Sequence, residues 1–409
     1  MELTSTSVVE LHTLIKKRES DEEFLVGRAD TGVYMILPSF ALKILDLLDS
    51  GVNIKQASIL AEKEMGEPVD VLDFVQQIMQ EYEFVHKVDG KVVSEKQEER
   101  GQFSWIPSKW GQIAFHPISN MFYVLLFIIG IVICVMNPGY FPSFNDIIPS
   151  TSLSISFVSI VIIGWMLLFI HEFAHLLAAL SLNVQSKIGV GHRLVFPVAE
   201  TDISNIVTVP RKQRYKVFLA GMLWDGAMFG IGIVVLLMHH SGMMPLHESL
   251  IPFVRFFNLS QLLSIAFQFM FFMETDIYYV FSNFFKCNNL LQNTRLTLRN
   301  KIKRLEPSQL EVLQHIAPRE KKIITWYIWF YMMGCGIAIS LFFMFTLPQS
   351  LRVISMTFEK MNQNTIYSAA FLDGVLFICI ILIPFAVLLY SWITTWNTNR
   401  KFKMKNFQP

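Results

Sequence analysis

The sequence predicts a mainly α, polytopic membrane protein with six transmembrane helices behind a small N-terminal α+β domain. Three observations carry this expectation. Of the 409 residues, 53% are hydrophobic and 36 are Phe, and mean hydropathy reaches +0.43, which sets the chain apart from ordinary soluble globules. The apolar residues gather into stretches near or above the ~20 needed to cross a bilayer, whereas the first hundred residues are polar, charged and patterned. The formal charge is only +1, and acidic residues balance basic ones in the N-terminal part, which argues against a nucleic-acid partner.

Residues 1–100 read as a separate unit. Leu25 to Leu37 alternates around Asp30-Thr31-Gly32, as a short strand pair would. Ser39 opens an apolar-periodic helix through Leu48, and Asn53 to Met65 and Val69 to Met79 carry two further helical patterns. Phe84 to Val93 closes the unit as a hairpin, with Asp89-Gly90 supplying the residues that a two-residue turn demands. Strands, helices and then a wing make a winged-helix-like order. A polar linker, Ser94 to Gln102, leads to the membrane part. No apolar signal segment opens the chain, so the N-terminus is expected in the cytoplasm.

Residues 113–400 hold the expected spans, at about 118–138, 154–181, 214–238, 252–283, 324–347 and 366–395. Lys and Arg accumulate in cytoplasmic connections, which sets the orientation. Lys187, Arg193, Arg211 and Lys212 lie between spans two and three, and the 286–323 connection carries a longer basic series including Arg295, Arg299 and Lys301. After span six come Arg400, Lys401, Lys403 and Lys405. The 139–153 and 239–251 connections have neither residue type, and 348–365 has only Arg352 and Lys360. Both termini are therefore expected on the cytoplasmic side of a multi-pass membrane protein. Cys134, Cys287, Cys335 and Cys379 are scattered through apolar stretches and a basic loop, a spacing that does not suggest a secreted disulfide framework.

Span two contains His171-Glu172-Phe173-Ala174-His175. On a helix, histidines four apart project from one face about one turn apart, so both imidazoles can grip one zinc ion, and Glu172 is placed as general base toward a water at that ion. Mutual satisfaction alone is a poor account of three ionisable side chains in lipid, where they are costly to bury.

A third ligand must share the membrane depth of the histidines, in the cytoplasmic half of span two. Asp276 lies late in span four, which runs in the same direction, and is favoured on depth. Asp225, midway along span three, stays open, and Asp373, early in span six, falls near the outer face. Glu274 is expected on a different helix face from Asp276, as a supporting or pore-lining group. Between spans two and three, Val184 to Val198 alternates and is punctuated by Gly189, Gly191 and Pro197, which reads as short strands or a re-entrant hairpin able to accept an extended peptide as an added strand. Asp202 and Ser204 are candidates for capping the next helix or lining a substrate cleft. His192 has no partner at metal spacing, and His239-His240 read as interfacial. In the 286–323 connection, Thr297 to Leu305 is a basic helical pattern and Pro307-Ser308-Gln309-Leu310 opens another helix.

The pentad His171 to His175 followed by a distant aspartate resembles the site-2 protease class of intramembrane zinc metallopeptidases. Thr275 to Asn283 with Asn289-Leu290, and Pro197 to Ser204 with Arg214 and Ala220-Gly221, are similar to the corresponding stretches of its peptide zinc metalloprotease subgroup. Ile277 stands where that subgroup has glycine, and Gln268 to Met273 lacks its Asn and Pro. The resemblance implies Zn2+ as cofactor, Asp276 as third ligand beside His171 and His175, and Glu172 as the catalytic base. The N-terminal unit resembles a PqqD-like recognition domain, which implies leader-peptide binding by strand addition. The expected activity is zinc-dependent hydrolysis of a peptide or membrane-peptide substrate, as in bacteriocin or signal-peptide maturation, in a cell membrane of the bacterial cytoplasmic kind. The competing expectation is a non-catalytic membrane adaptor, immunity or export component that keeps the fold, and it has no need for Glu172. A metal-dependent transporter is a third, and no internal repeat supports it.

Overall fold

The computed structural model describes residues 3–382 apart from 20–22, 67, 81, 96–102, 104, 194–195, 288, 304, 306–308, 311–312 and 315. Most of the linker 94–102, the opening of the helix expected at Pro307, the end of the sixth expected span and the basic C-terminal residues lie outside the described residues, as does the His192 side chain.

The chain forms two compact units. The first comprises residues 1–112 with 176–188 and 201–214. Its strands are β1 (Val9–Leu11), β2 (Ile15–Arg18), β3 (Glu23–Arg28) and β4 (Val33–Pro38), followed by helices α1 (Ser39–Asp49), α2 (Ile54–Met65) and α3 (Val71–Gln80), then β5 (Val85–Val88) and β6 (Lys91–Val92). Two antiparallel sheets result, ordered β2-β3-β4 and β1-β5-β6. Asp89 and Gly90 both adopt positive φ, 50° and 77°, as the β5–β6 turn requires. The Asn53 side chain accepts the Gln56 N–H at 2.8 Å to start α2, and Gly66 ends it at φ 76°. Val26, Leu45, Leu48, Ala57, Val75, Ile78 and Phe84 form a buried core. The fully buried Arg28 donates to both Asp30 carboxylate oxygens, at 3.0 and 2.6 Å, and to the Glu83 and Glu95 carbonyls, so its charge is paired and its donors used. In the same unit Tyr34 O–H donates to Asn205 Oδ1 at 2.8 Å, and Glu19 accepts from Arg211 Nε and Nη2.

The second unit comprises 113–175, 189–200 and 215–409. Counting on from α4 (Ser108–Ala114), its helices begin with α5 (Pro117–Met136) and α6 (Leu153–Leu180). After the strand pair β7 (Lys187–Arg193) and β8 (Phe196–Asp202), where a hairpin was expected, come α7 (Arg211–Phe218), α8 (Ala220–His240), α9 (Ile251–Gln268), α10 (Asp276–Phe285) and α11 (Leu290–Ile302). Further helices cover Pro318–Leu341 and Leu347–Asn362, the latter filling the expected 348–365 connection. Among the described residues, five helical segments are long and apolar enough to cross a membrane: Pro117–Met136, Leu153–Leu180, Arg211–His240, Glu248–Gln268 and Pro318–Met344. A shorter apolar helix covers Ala369–Leu382.

The expected continuous span 252–283 is corrected. α9 stops at Gln268, a short turn covers Phe271–Met273, Glu274 is left-handed at φ 58°, and a new helix starts at Asp276. Side chains hold the break: Thr275 Oγ–H donates to the Gln268 carbonyl at 2.7 Å, and Gln268 Oε1 accepts the Asp276 N–H at 3.0 Å. Backbone groups released inside an apolar layer thereby find partners. Glu274 accordingly sits in the turn before α10 instead of on another face of a shared helix. α5 and α8 meet where Gly130 faces Gly230, and a Cβ on Gly130 would lie 2.8 Å from Gly230 Cα, so these backbones touch only without side chains.

Candidate metal centre

α6 presents His171 and His175 one turn apart, as their spacing requires, and both are buried at about one-twentieth exposure, 5% and 4%. Asp276, first residue of α10, points its carboxylate at both rings. The distances His171 Nε2 to His175 Nε2, His171 Nε2 to Asp276 Oδ2 and His175 Nε2 to Asp276 Oδ2 are each 3.2 Å. These residues could hold a metal ion.

The far side of each ring fixes what the near side offers. His171 Nδ1 faces Asp225 Oδ2 at 2.8 Å, and His175 Nδ1 faces the Val217 carbonyl at 2.7 Å. A carbonyl and a carboxylate accept, so each Nδ1 carries a proton, and in the neutral ring Nε2 then turns its lone pair inward. Asp276 Oδ2 is buried and has no hydrogen-bond donor among the described residues. In neutral rings three lone-pair atoms would converge here, a donor set that suits a cation; without an ion, a proton on either Nε2 directed at Asp276 Oδ2 balances the same cluster. The spacing fits: in a tetrahedral site with bonds of about 2.0–2.1 Å, neighbouring ligand atoms lie about 3.3 Å apart.

Neighbouring helices reach the site through particular residues. Leu219 interrupts the run between α7 and α8, two residues beyond the Val217 carbonyl that His175 uses. Gly221 lies against the His171 ring, where a Cβ would come within 2.7 Å of Nδ1 and nearer still to Nε2 and Cε1. Ser264 Oγ–H on α9 donates to Asp225 Oδ2 at 2.7 Å, so that oxygen serves serine and histidine together. Gln268 Nε2 lies 3.4 Å from His171 Nε2 while its Oε1 takes the Asp276 N–H.

Of the three aspartates open on sequence, Asp276 meets the two histidines, Asp225 orients His171 from behind, and Asp373 caps α6. The Asp373 carboxylate accepts from Ser152 Oγ at 2.6 Å and from the Leu153 and Ser154 N–H groups at 3.1 Å. Glu172, half-buried on α6, is three residues before His175, the spacing of neighbours on a helix surface. Asp202 and Ser204 belong to the other unit, where Asp202 Oδ1 accepts the Ser204 N–H at 3.0 Å and Oγ–H at 2.6 Å and starts the short turn Ser204–Thr208. Sequence reasoning missed Gln268 and Ser264 as parts of the site. Their signal was polarity inside an apolar helix, at positions three or four residues apart. Comparison with family models, curated proteins and solved structures finds no match to this chain.

Proposed function

We propose that this chain is an intramembrane zinc metalloprotease that hydrolyses a peptide bond in a small peptide precursor, with six spans and both termini on the cytoplasmic side. One observation carries the reading: two imidazole nitrogens and one carboxylate oxygen meet 3.2 Å apart, with Glu172 one position after the first histidine on an apolar helix. His171, His175 and Asp276 would hold the ion, and these borderline nitrogen and hard oxygen donors suit zinc. Bound zinc supplies Lewis acidity, polarising a carbonyl and making water a stronger acid.

The protein's own groups do the rest. Asp225 and the Val217 carbonyl keep both imidazoles in the tautomer that offers Nε2. The Glu172 carboxylate takes a proton from the attacking water and returns one to the leaving amine nitrogen. The N-terminal unit, on the PqqD-like reading, presents the precursor by pairing it as an added strand.

The test is metal analysis and cleavage of a co-encoded peptide by the wild type and Glu172→Gln. The variant is expected to keep its metal and lose about 10²–10⁴-fold in rate, the usual share of a general base. Equal cleavage by both proteins would end the proposal.

A further inference from the structure

Between α8 and α9 runs a polar row that the metal centre does not use up. The helices are antiparallel in sequence order and meet in three rungs: Asp225 with Ser264, Met228 with Gln261, and Gly232 with Asn258. On each helix the rungs are three or four residues apart, so each set lies on one face. Asn258 and Gln261 are buried at 1% and 0% exposure. Asn258 Nδ2, Asn258 Oδ1 and Gln261 Oε1 have no hydrogen-bond partner among the described residues, and Gln261 Nε2 meets only the Met228 sulfur, at 3.6 Å.

Each such atom costs about 1–3 kcal/mol if left dry, more than a membrane helix pair readily bears. The two amides are three residues apart, so their stems stand about 5–6 Å from each other. One water with a bond of about 2.8 Å on either side spans that gap. Both amides are uncharged and face a thioether and a glycine, which suits a small neutral ligand with donors and acceptors and does not suit a metal ion. Toward the site, the row continues through Ser264 and Asp225 to His171, and then to Gln268. Toward the other end, Arg255 is one turn before Asn258 and donates to the Gly139 carbonyl at 3.2 Å. From Asn258 to Gln268 the helix rises about 15 Å, half a hydrocarbon core.

We infer that Asn258 and Gln261 hold a short row of ordered water between α8 and α9, which feeds the metal centre from the Arg255 end of α9. The delivery half rests on the hydrolase reading; the water row does not.

The test is radiolytic hydroxyl labelling of the full chain in lipid nanodiscs, because radicals formed from bound water oxidise the nearest methionine. Met228 is expected to label within about threefold of Met243, which is 70% exposed in a loop, and to drop about tenfold in Gln261→Leu and Asn258→Leu. Met332, 52% exposed on an apolar helix, sets the background. Wild-type Met228 at the Met332 level would overturn the water row without reference to any variant, as would labelling unchanged by both substitutions. Loss of labelling with unaltered peptide cleavage would overturn delivery. Labelling needs no turnover, so an inactive or metal-free wild type would end the protease reading and leave the water row standing.

Discussion

Gly221→Ala separates the fold from the metal centre. A Cβ at this position would stand 2.7 Å from His171 Nδ1 and nearer to two other ring atoms, whereas ordinary contact distances between such atoms are about 3.5–4.0 Å. The ring or α8 must therefore move by about 1 Å, well beyond the ~0.2 Å tolerance of metal-ligand distances. The helix itself gains at most the about 0.8–1.0 kcal/mol that separates alanine from glycine in a helix interior, because Gly221 is only the second residue of α8. That shift of a buried ring or helix costs about 1–3 kcal/mol of packing, which offsets the gain, so the expected result is an apo protein within about 2 kcal/mol of the wild type with its zinc affinity reduced about 100-fold or more. At a free-metal concentration 100 times the wild-type Kd, binding adds about 2.7 kcal/mol of stability, and a 100-fold weaker site adds about 0.4 kcal/mol at that concentration. Thermal unfolding with and without zinc in a nanodisc, alongside competition titration for affinity, measures both quantities. Gly164→Ala is the control, since it lies on α6 with nothing within 4 Å of an added Cβ and should keep the full metal-induced shift. Wild-type affinity in Gly221→Ala would refute the packing of α8 on His171 and the site built from it.

The three aspartates are expected to separate in zinc titration: Asp276→Asn abolishes binding, Asp225→Asn weakens it about 10–100-fold, and Asp373→Asn leaves it alone. Any other ranking removes the assignment of ligand, orienting group and helix cap. Gln268→Ala leaves the Asp276 N–H without its side-chain acceptor and should cost about 1–3 kcal/mol in denaturant unfolding of the metal-free protein, and an unchanged midpoint would refute that role. In the N-terminal unit, burial, then the Arg28 cation and His86, hold His12 below its ordinary pKa of 6.5, against Asp30 and a Ser94 backbone hydrogen bond. A histidine depressed in the folded state contributes stability above about pH 6.5 that is lost as the pH falls through its folded value, so amides of β1 and β5 should exchange faster, after correction for intrinsic rates, on going from about pH 7.5 to about pH 5.5. His12→Gln should remove that acid-dependent part; an identical response in both proteins would count against it.

The legible parts of the sequence were those whose local chemistry admits one geometry. Histidines four apart on an apolar helix can only share a face, and both rings meet at the site. Asp89-Gly90 between alternating residues fits a tight turn with two positive φ values, and β5 and β6 follow from it. β1 and β2 escaped notice because they are short and because Lys16, Lys17 and Arg18 hide the alternation of the second. Depth favoured Asp276 over Asp225 and could not show that Asp225 serves the same histidine from behind, since both carboxylates stand near one ring and only the side they approach differs.

The break after Gln268 was illegible for a deeper reason. Phe269 to Met273 is as apolar as the helix before it and contains neither Pro nor Gly, so nothing local ends the helix. The stop is tertiary: the Gln268 side chain takes the N–H of Asp276, and Thr275 takes the carbonyl of Gln268, bonds that exist only once the chain has turned. A continuous α9 would have carried Asp276 past Gln268 by about 12 Å along its axis. The turn returns it to the Gln268 level, beside histidines from another helix. The same glutamine that ends the helix also touches His171, so the residue that shapes the backbone here is part of the site it shapes.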